Sequence, residues 1–271
     1  MAKFIAYQGL DSGELKGVAL LFDKETSYFY DLGSRSFRVA QTARKDGHLL
    51  EVDGKGFGKF LSQPTKAGTV ETLKVRLDGE AFYTIKKVDL KLSKLLDSDL
   101  ESARDALFKG KDNFQGSEGA DIFHGGGKAD KLFGKDGNDT LYGDGGSDRL
   151  DGGAGSDTLD GGKGKDTYVF KTALDLEAGN SIVKFQKGET IELAQKVYTA
   201  LDKGTLSADD FYVVGSATPI GDQHVIYNPS ASGGANGALY YDADGSGPGG
   251  SILIATVQAG AKLDAANILV A

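Results

Sequence analysis

The chain has no cysteine, no tryptophan, one methionine, four prolines and three histidines in 271 residues. Without cysteine there is no disulfide scaffold, no thiol nucleophile and no cysteine-based zinc site. His48, His124 and His224 lie far apart, and none opens the His-Glu-x-x-His helix of a zinc protease. Neither a Gly-x-Ser-x-Gly nucleophile elbow nor a P-loop phosphate-binding motif occurs. No apolar run approaches the ~18 residues of a membrane-spanning helix, so no transmembrane segment is expected. The opening MAKFIAYQGLDSGELKG carries no long apolar stretch after Lys3, so no cleavable signal peptide is expected there. A net charge of −8, from 39 acidic against 31 basic groups, argues against a nucleic-acid partner.

What the chain has in excess is glycine: 40 residues, about twice the usual share of ~7%. Residues 116–169 hold 16 of these glycines together with 10 aspartates. Cut every nine residues, that segment reads GSEGADIFH, GGGKADKLF, GKDGNDTLY, GDGGSDRLD, GGAGSDTLD and GGKGKDTYV. Position one is always glycine: Gly116, Gly125, Gly134, Gly143, Gly152 and Gly161. Position four is Gly119, Gly137, Gly146, Gly155 and Gly164, with Lys128 as the exception. Position six is always aspartate: Asp121, Asp130, Asp139, Asp148, Asp157 and Asp166. Position eight is always large and apolar: Phe123, Leu132, Leu141, Leu150, Leu159 and Tyr168. A flexible linker keeps no such phase.

Each unit has a physical reading. Three residues around the apolar position form a short strand with that side chain inward, and the glycine-rich remainder forms a turn. Two units complete one coil, so Asp121, Asp139 and Asp157 stack on one side and Asp130, Asp148 and Asp166 on the other. Carboxylates stacked at a strand spacing of ~4.8 Å repel one another. A hard cation taking two carboxylates plus turn carbonyls relieves that repulsion, and six to eight oxygens is what calcium prefers. The inter-turn gaps give about four sites, with partial ones at the ends. The position-one and position-four glycines and the six aspartates are therefore the candidate metal residues.

The motif Gly-Gly-x-Gly-x-Asp-x-apolar-x resembles that of the RTX (repeats-in-toxin, hemolysin-type calcium-binding) family, whose repeats form a calcium-binding β-roll. The resemblance extends over roughly 110–271, including LYYDADGSG at 239–247. It implies a bacterial protein exported to the extracellular space by a type I secretion apparatus through an uncleaved C-terminal signal. Asp264 followed by Ile268, Leu269 and Val270 fits such a signal, and fits an ordinary last strand equally. Asp242 and Asp244 before Gly245 are a candidate additional calcium site; a tight acidic hairpin turn fits the same residues.

The expected fold is mainly β in three parts. Residues 1–110 form a small antiparallel sheet plus helix, 111–170 the parallel β-roll, and 171–271 a β-rich cap carrying the secretion signal. In the first part FIAYQ, GVALLFD, SYFYDLG, FRVAQTA, LLEVDG, TVETLKVRLDG and AFYTIKKVDL alternate as strands do, with Gly or Asp-Gly punctuation. Ser98 and Glu101 form a capping box ahead of Leu100, Ala103 and Leu107, with Gly110 as the stop. In the last part SIVKFQKGETIELA reads as two strands around a turn at Lys187–Gly188. ALDKGTLSADDFYVVG then gives a short helix or turn and a strand, followed by strands at HVIYN, GALYYD and SILIATV.

Within that frame the expectation is a non-enzymatic protein that engages a cell surface, a matrix or an extracellular polysaccharide. One alternative is a hydrolase or polysaccharide-acting enzyme with its site in 1–110, where Glu25, Asp31, Glu71 and Glu80 are acidic candidates. Basic residues Arg35, Arg38, Arg44, Lys45, Lys86, Lys87, Lys91 and Lys94 are interspersed with acids there, a solvated surface that an acidic polysaccharide could also meet. Another alternative is haem capture, by resemblance to secreted hemophores that bind haem through a histidine and a tyrosine. Against it, the loop at 54–68 offers Phe57 and Phe60 instead of a tyrosine, and His48 reads as a surface-turn residue.

Overall fold

A strand with one inward side chain every nine residues must be covered from the opposite side by the next unit, and the chain does this by coiling. The computed structural model describes side chains for residues 108–172, 179–215, 222–230, 236–245 and 250–271, and the backbone of six strands before them. Those six are β1 (Lys3–Ala6), β2 (Tyr28–Asp31), β3 (Ser36–Ala40), β4 (Leu49–Lys55), β5 (Thr69–Leu77) and β6 (Glu80–Lys91). They pair antiparallel in the order β1-β6-β5-β4-β3-β2, as the alternating segments require. The expected helix after Ser98, the strand GVALLFD, His48, Glu25 and the loop with Phe57 and Phe60 lie outside the described residues.

The coiled part begins with β7 (Asn113–Gln115), β8 (Ile122–His124), β9 (Lys131–Asp136), β10 (Thr140–Tyr142) and β11 (Gly145–Gly146). It continues through β12 (Arg149–Ala154), β13 (Thr158–Asp160), β14 (Lys163–Gly164) and β15 (Thr167–Phe170). Strands alternate between two sheets: β7, β9, β12 and β15 pair in parallel in one, and β8, β10 and β13 in the other. The register keeps position eight on position eight, Phe114 to Leu132 to Leu150 to Tyr168 and Phe123 to Leu141 to Leu159. Every one of these seven side chains is at most 1% exposed, so the two sheets share one dry seam. Strand pairing also reaches into the turns, where Gly153 meets Lys135, and Gly145 meets Lys163. Stacked turns of like conformation aim their N–H groups at carbonyls of the adjacent coils.

The parallel ladders do not stop with the last nonapeptide. The remaining strands are β16 (Ser181–Val183), β17 (Thr190–Leu193), β18 (Gly204–Thr205), β19 (Phe211–Val213), β20 (Val225–Asn228), β21 (Asn236–Tyr241), β22 (Ile252–Gln258) and β23 (Ile268–Val270). β16 extends the sheet of β13, and β17 that of β15, each in parallel. The two strands around Lys187–Gly188 therefore form, but in different sheets rather than as a hairpin. Their apolar residues, Ile182 and Ile191, are fully buried under Leu159 and Tyr168 and so demand opposite sheets. β22 and β23 add one more parallel layer, placing Val257 on Ile182 and Ile268 on Ile191. Outside them, β20, β21 and β22 form an antiparallel meander with a bulge at Leu239 and Tyr240. At the other end β1 pairs in parallel with β7, so the N-terminal strands continue the same sheet. Among the described residues, no helix is long and apolar enough to cross a membrane.

Candidate metal centre

The six position-six aspartates are all buried, at 0–2% exposure, although an isolated buried carboxylate is costly. They fall into the two expected stacks. Along each, the carboxylate Oδ1 accepts the backbone N–H of the aspartate one coil earlier: Asp139 from Asp121 at 2.8 Å, Asp157 from Asp139 at 2.9 Å, Asp148 from Asp130 at 2.7 Å and Asp166 from Asp148 at 2.8 Å. Asp130 accepts in turn from the N–H of Asp112 at 2.6 Å. Asp112 is itself a buried, in-phase aspartate. It was legible in LFKGKDNFQ (107–115), where Gly110, Asp112 and Phe114 keep positions four, six and eight while glycine is missing only at position one.

The second carboxylate oxygen is different. Oδ2 of Asp130, Asp139, Asp148 and Asp166 is buried and receives no hydrogen bond. In each it points to the α-carbon of the position-one glycine in its own repeat, and for Asp130, Asp139 and Asp148 the carbonyl oxygen of the next coil's position-one glycine also arrives there. A Cβ on Gly143 would lie 2.6 Å from Asp148 Oδ2 and 2.6 Å from the Gly161 carbonyl oxygen. On Gly125 it would lie 3.1 Å from Asp130 Oδ2 and 2.9 Å from the Gly143 oxygen. Glycine at position one thus leaves an oxygen-lined space that any side chain would fill. Position four needs glycine for another reason: Gly137 has φ +115° and sits against the Gly119 backbone. Lys128, the exception, still adopts φ +87°, a conformation costly for a residue with a side chain.

Without a counter-charge these carboxylates resist ionisation. Burial first, and then the negative charge of Asp148 and Asp112, pushes Asp130 up to about 8. Burial and the neighbouring aspartates likewise push Asp139 and Asp148 up to about 7, and burial pushes Asp157 up to about 6. Buried, unbonded, mutually repelling carboxylate oxygens beside turn carbonyls are the donor set of a hard divalent cation. Among the described residues no three His, Cys, Asp or Glu side chains converge on one point. The coordination available here therefore mixes carboxylates with backbone oxygens.

The stacks end differently. Asp121, at the first repeat, has its Oδ2 already bonded by the N–H and hydroxyl of Ser117, at 2.7 and 3.0 Å. At the far end of its stack the Asp157 N–H donates to the neutral Oδ1 of Asn180, at 2.9 Å. The other stack runs from Asp166 to Glu189, whose strand continues β15 in register. Glu189 is 1% exposed, and burial with the charge of Asp166 pushes it up to about 7. Asp242 is buried and Asp244 exposed; the Asp244 N–H donates to Asp242 Oδ1 at 3.3 Å, closing an acidic turn. His124 stacks on Tyr142 and faces Asp144 at 3.2 Å, while His224 faces Asp210 at 3.3 Å.

The family model of the RTX calcium-binding nonapeptide repeat (4 copies) matches residues 109–141 and 133–168. The chain carries RTX repeats. Their matched span starts ahead of Gly116 and takes in Asp112. Two solution structures are similar to part of the chain. The AlgE6R3 subunit of the Azotobacter vinelandii mannuronan C5-epimerase is 28% identical, covering 57% of this chain and 80% of its own, with a TM-score of 0.39. The AlgE6R2 subunit of that epimerase is 26% identical, covering 56% and 91%, with a TM-score of 0.34. No curated protein matches the chain. The RTX repeats make this a calcium-binding protein with a parallel β-roll.

Proposed function

We propose that this is an exported bacterial protein whose roll folds when it meets extracellular calcium, and that the roll then presents the N-terminal strands to a cell surface, matrix or polysaccharide. The observation that carries the reading is the set of buried Oδ2 oxygens on Asp130, Asp139, Asp148 and Asp166, which receive no hydrogen bond. Ions between coils supply the positive charge that these oxygens need. The six repeat aspartates and the position-one and position-four glycines are the residues assigned to those sites.

The coupling follows from magnitudes. A site filled at about a hundred times its Kd contributes about 2.7 kcal/mol, so about four sites contribute about 11 kcal/mol. That equals the whole net stability of an ordinary domain, about 5–15 kcal/mol. Calcium-free, the glycine-rich turns lose that term and keep the ordering entropy and carboxylate repulsion. An unfolded chain suits passage through a type I channel, and cysteine-free composition leaves no disulfide to form on the way. No catalytic role is assigned to residues 1–110, which serve recognition in this reading. Adding calcium to the chelated protein should produce a cooperative gain of β signal in far-UV circular dichroism; an unchanged spectrum rejects the proposal.

A further inference from the structure

One carboxylate belongs to neither the nonapeptides nor the antiparallel meander. Glu189 follows Asp166 in the ladder, because Thr167 pairs with Thr190 and the Thr190 N–H donates to the Asp166 carbonyl at 2.9 Å. It therefore occupies the position-six place of the next coil although no repeat motif surrounds it. Its Oε2 accepts the Tyr168 hydroxyl at 3.2 Å and the Gln186 N–H at 2.7 Å, and the Tyr168 hydroxyl in turn accepts the Gly161 N–H at 3.1 Å. Those bonds fix the side chain. Its other oxygen, Oε1, is buried and receives no hydrogen bond, and neither does Oδ2 of Asp166 beside it. The two carboxyl groups are within hydrogen-bonding reach of each other. Both residues are 1% exposed, so water does not separate them cheaply.

The neighbouring stack shows what closing without an ion looks like. There the chain places Asn180, whose amide oxygen accepts the Asp157 N–H without adding a charge. A glutamate held by two donors, the Tyr168 hydroxyl and the Gln186 N–H, and placed beside another buried carboxylate does the opposite.

We propose that Asp166 and Glu189 form a further calcium site that caps one stack beyond the last nonapeptide, with Tyr168 and the Gln186 N–H as positioning groups. This rests on the calcium-folded reading of the roll, and it extends the ion-binding stack into the segment after residue 170. The competing arrangement, in which the two carboxyls share one proton and take no ion, makes a different prediction.

Native mass spectrometry of the full chain in calcium, wild type against Glu189→Gln, tests it. The glutamine keeps an oxygen for Tyr168 and Gln186 and offers its NH2 to Asp166, so the fold is expected to persist. The expected result is one ion fewer in the variant. An equal ion count in the folded variant overturns the assignment. A wild type that binds no ions overturns the calcium-folded reading itself, which separates the two failures. Should Glu189→Gln not fold, terbium replaces calcium in the wild type and in Tyr168→Phe. Tyrosine-sensitised terbium emission falls at least twofold in Tyr168→Phe if an ion sits beside Glu189, and unchanged emission overturns the site.

Discussion

The repeats and the segment that follows them build the same parallel ladder by different means. From Phe114 to Tyr168 the ladder is laid down by nonapeptides whose turns are glycine and buried aspartate. From Ile182 to Ile268 it is laid down by unrelated sequences whose turns are held by protein groups. The Asn180 amide caps Asp157, the Gln258 side chain bridges both backbone groups of Phe185, and Asp264 with Asn267 forms a capping box. The strand half of the repeat is thus interchangeable with ordinary sequence, since an apolar residue in register suffices. The turn half is not, and in the proposed reading it carries the dependence on calcium.

The largest effect that sharpens this contrast is on pH. Asp130, Asp139, Asp148, Asp157 and Asp166 have carboxyls raised above the ordinary 3.8 in the calcium-free fold, to about 8 at Asp130 and about 7 at Asp139 and Asp148. A raised folded-state value means stability fully present below about pH 4 and lost as pH rises through 6 to 8. In chelator, lowering pH from 8 to 5 should therefore recover roll structure by circular dichroism, without ions. A chelated protein equally unfolded at both values would show that repulsion between these groups is not what keeps the roll open.

Glycine substitutions come next. Gly143→Ala drives a methyl into Asp148 Oδ2 and the Gly161 carbonyl, and should cost about 3 kcal/mol and the adjacent ion. Gly204→Ala, in the later segment, meets no atom within 4 Å and costs only the strain of φ +120°, about 1 kcal/mol. Thermal melts in calcium compare the two, and equal losses would erase the distinction between the repeat turns and the later segment. A smaller effect is expected from Asp139→Asn, which keeps the Oδ1 acceptor but removes a charge. Its calcium midpoint should rise about tenfold, equivalent to about 1.4 kcal/mol. The smallest is Arg149→Met, which breaks the double hydrogen bond to Glu192 that ties the repeats to the segment after them. Both partners are partly exposed, so the loss should stay below about 1 kcal/mol.

What the sequence made legible follows the same division. Positions one, four, six and eight each answer to one physical demand: close approach, left-handed backbone, a buried carboxylate stacked on its neighbours, and apolar burial. Phase alone therefore located them. Position two is left-handed as well, at Lys135 and Asp144 as at Gly126, Gly153 and Gly162, but it accepts several residue types and is glycine in only half of the repeats. Asp112 was readable in phase once the missing first glycine was tolerated. Glu189 was not readable, because the turn between Tyr168 and Ile191 changes length and the nine-residue phase is lost. The pairing of Ile182 with Val257 across a long stretch of chain is a tertiary choice that no local pattern encodes.

Hydrogen exchange with and without calcium addresses the coupling of turn to metal most directly. The backbone amides of Asp121, Asp130, Asp139 and Asp148 each donate to the carboxylate of the next coil and should exchange slowly in calcium. In chelator at pH 8 their protection should be lost together. Protection that survives chelation would contradict it, because the roll would then stand without the ions that its buried aspartates are held to require.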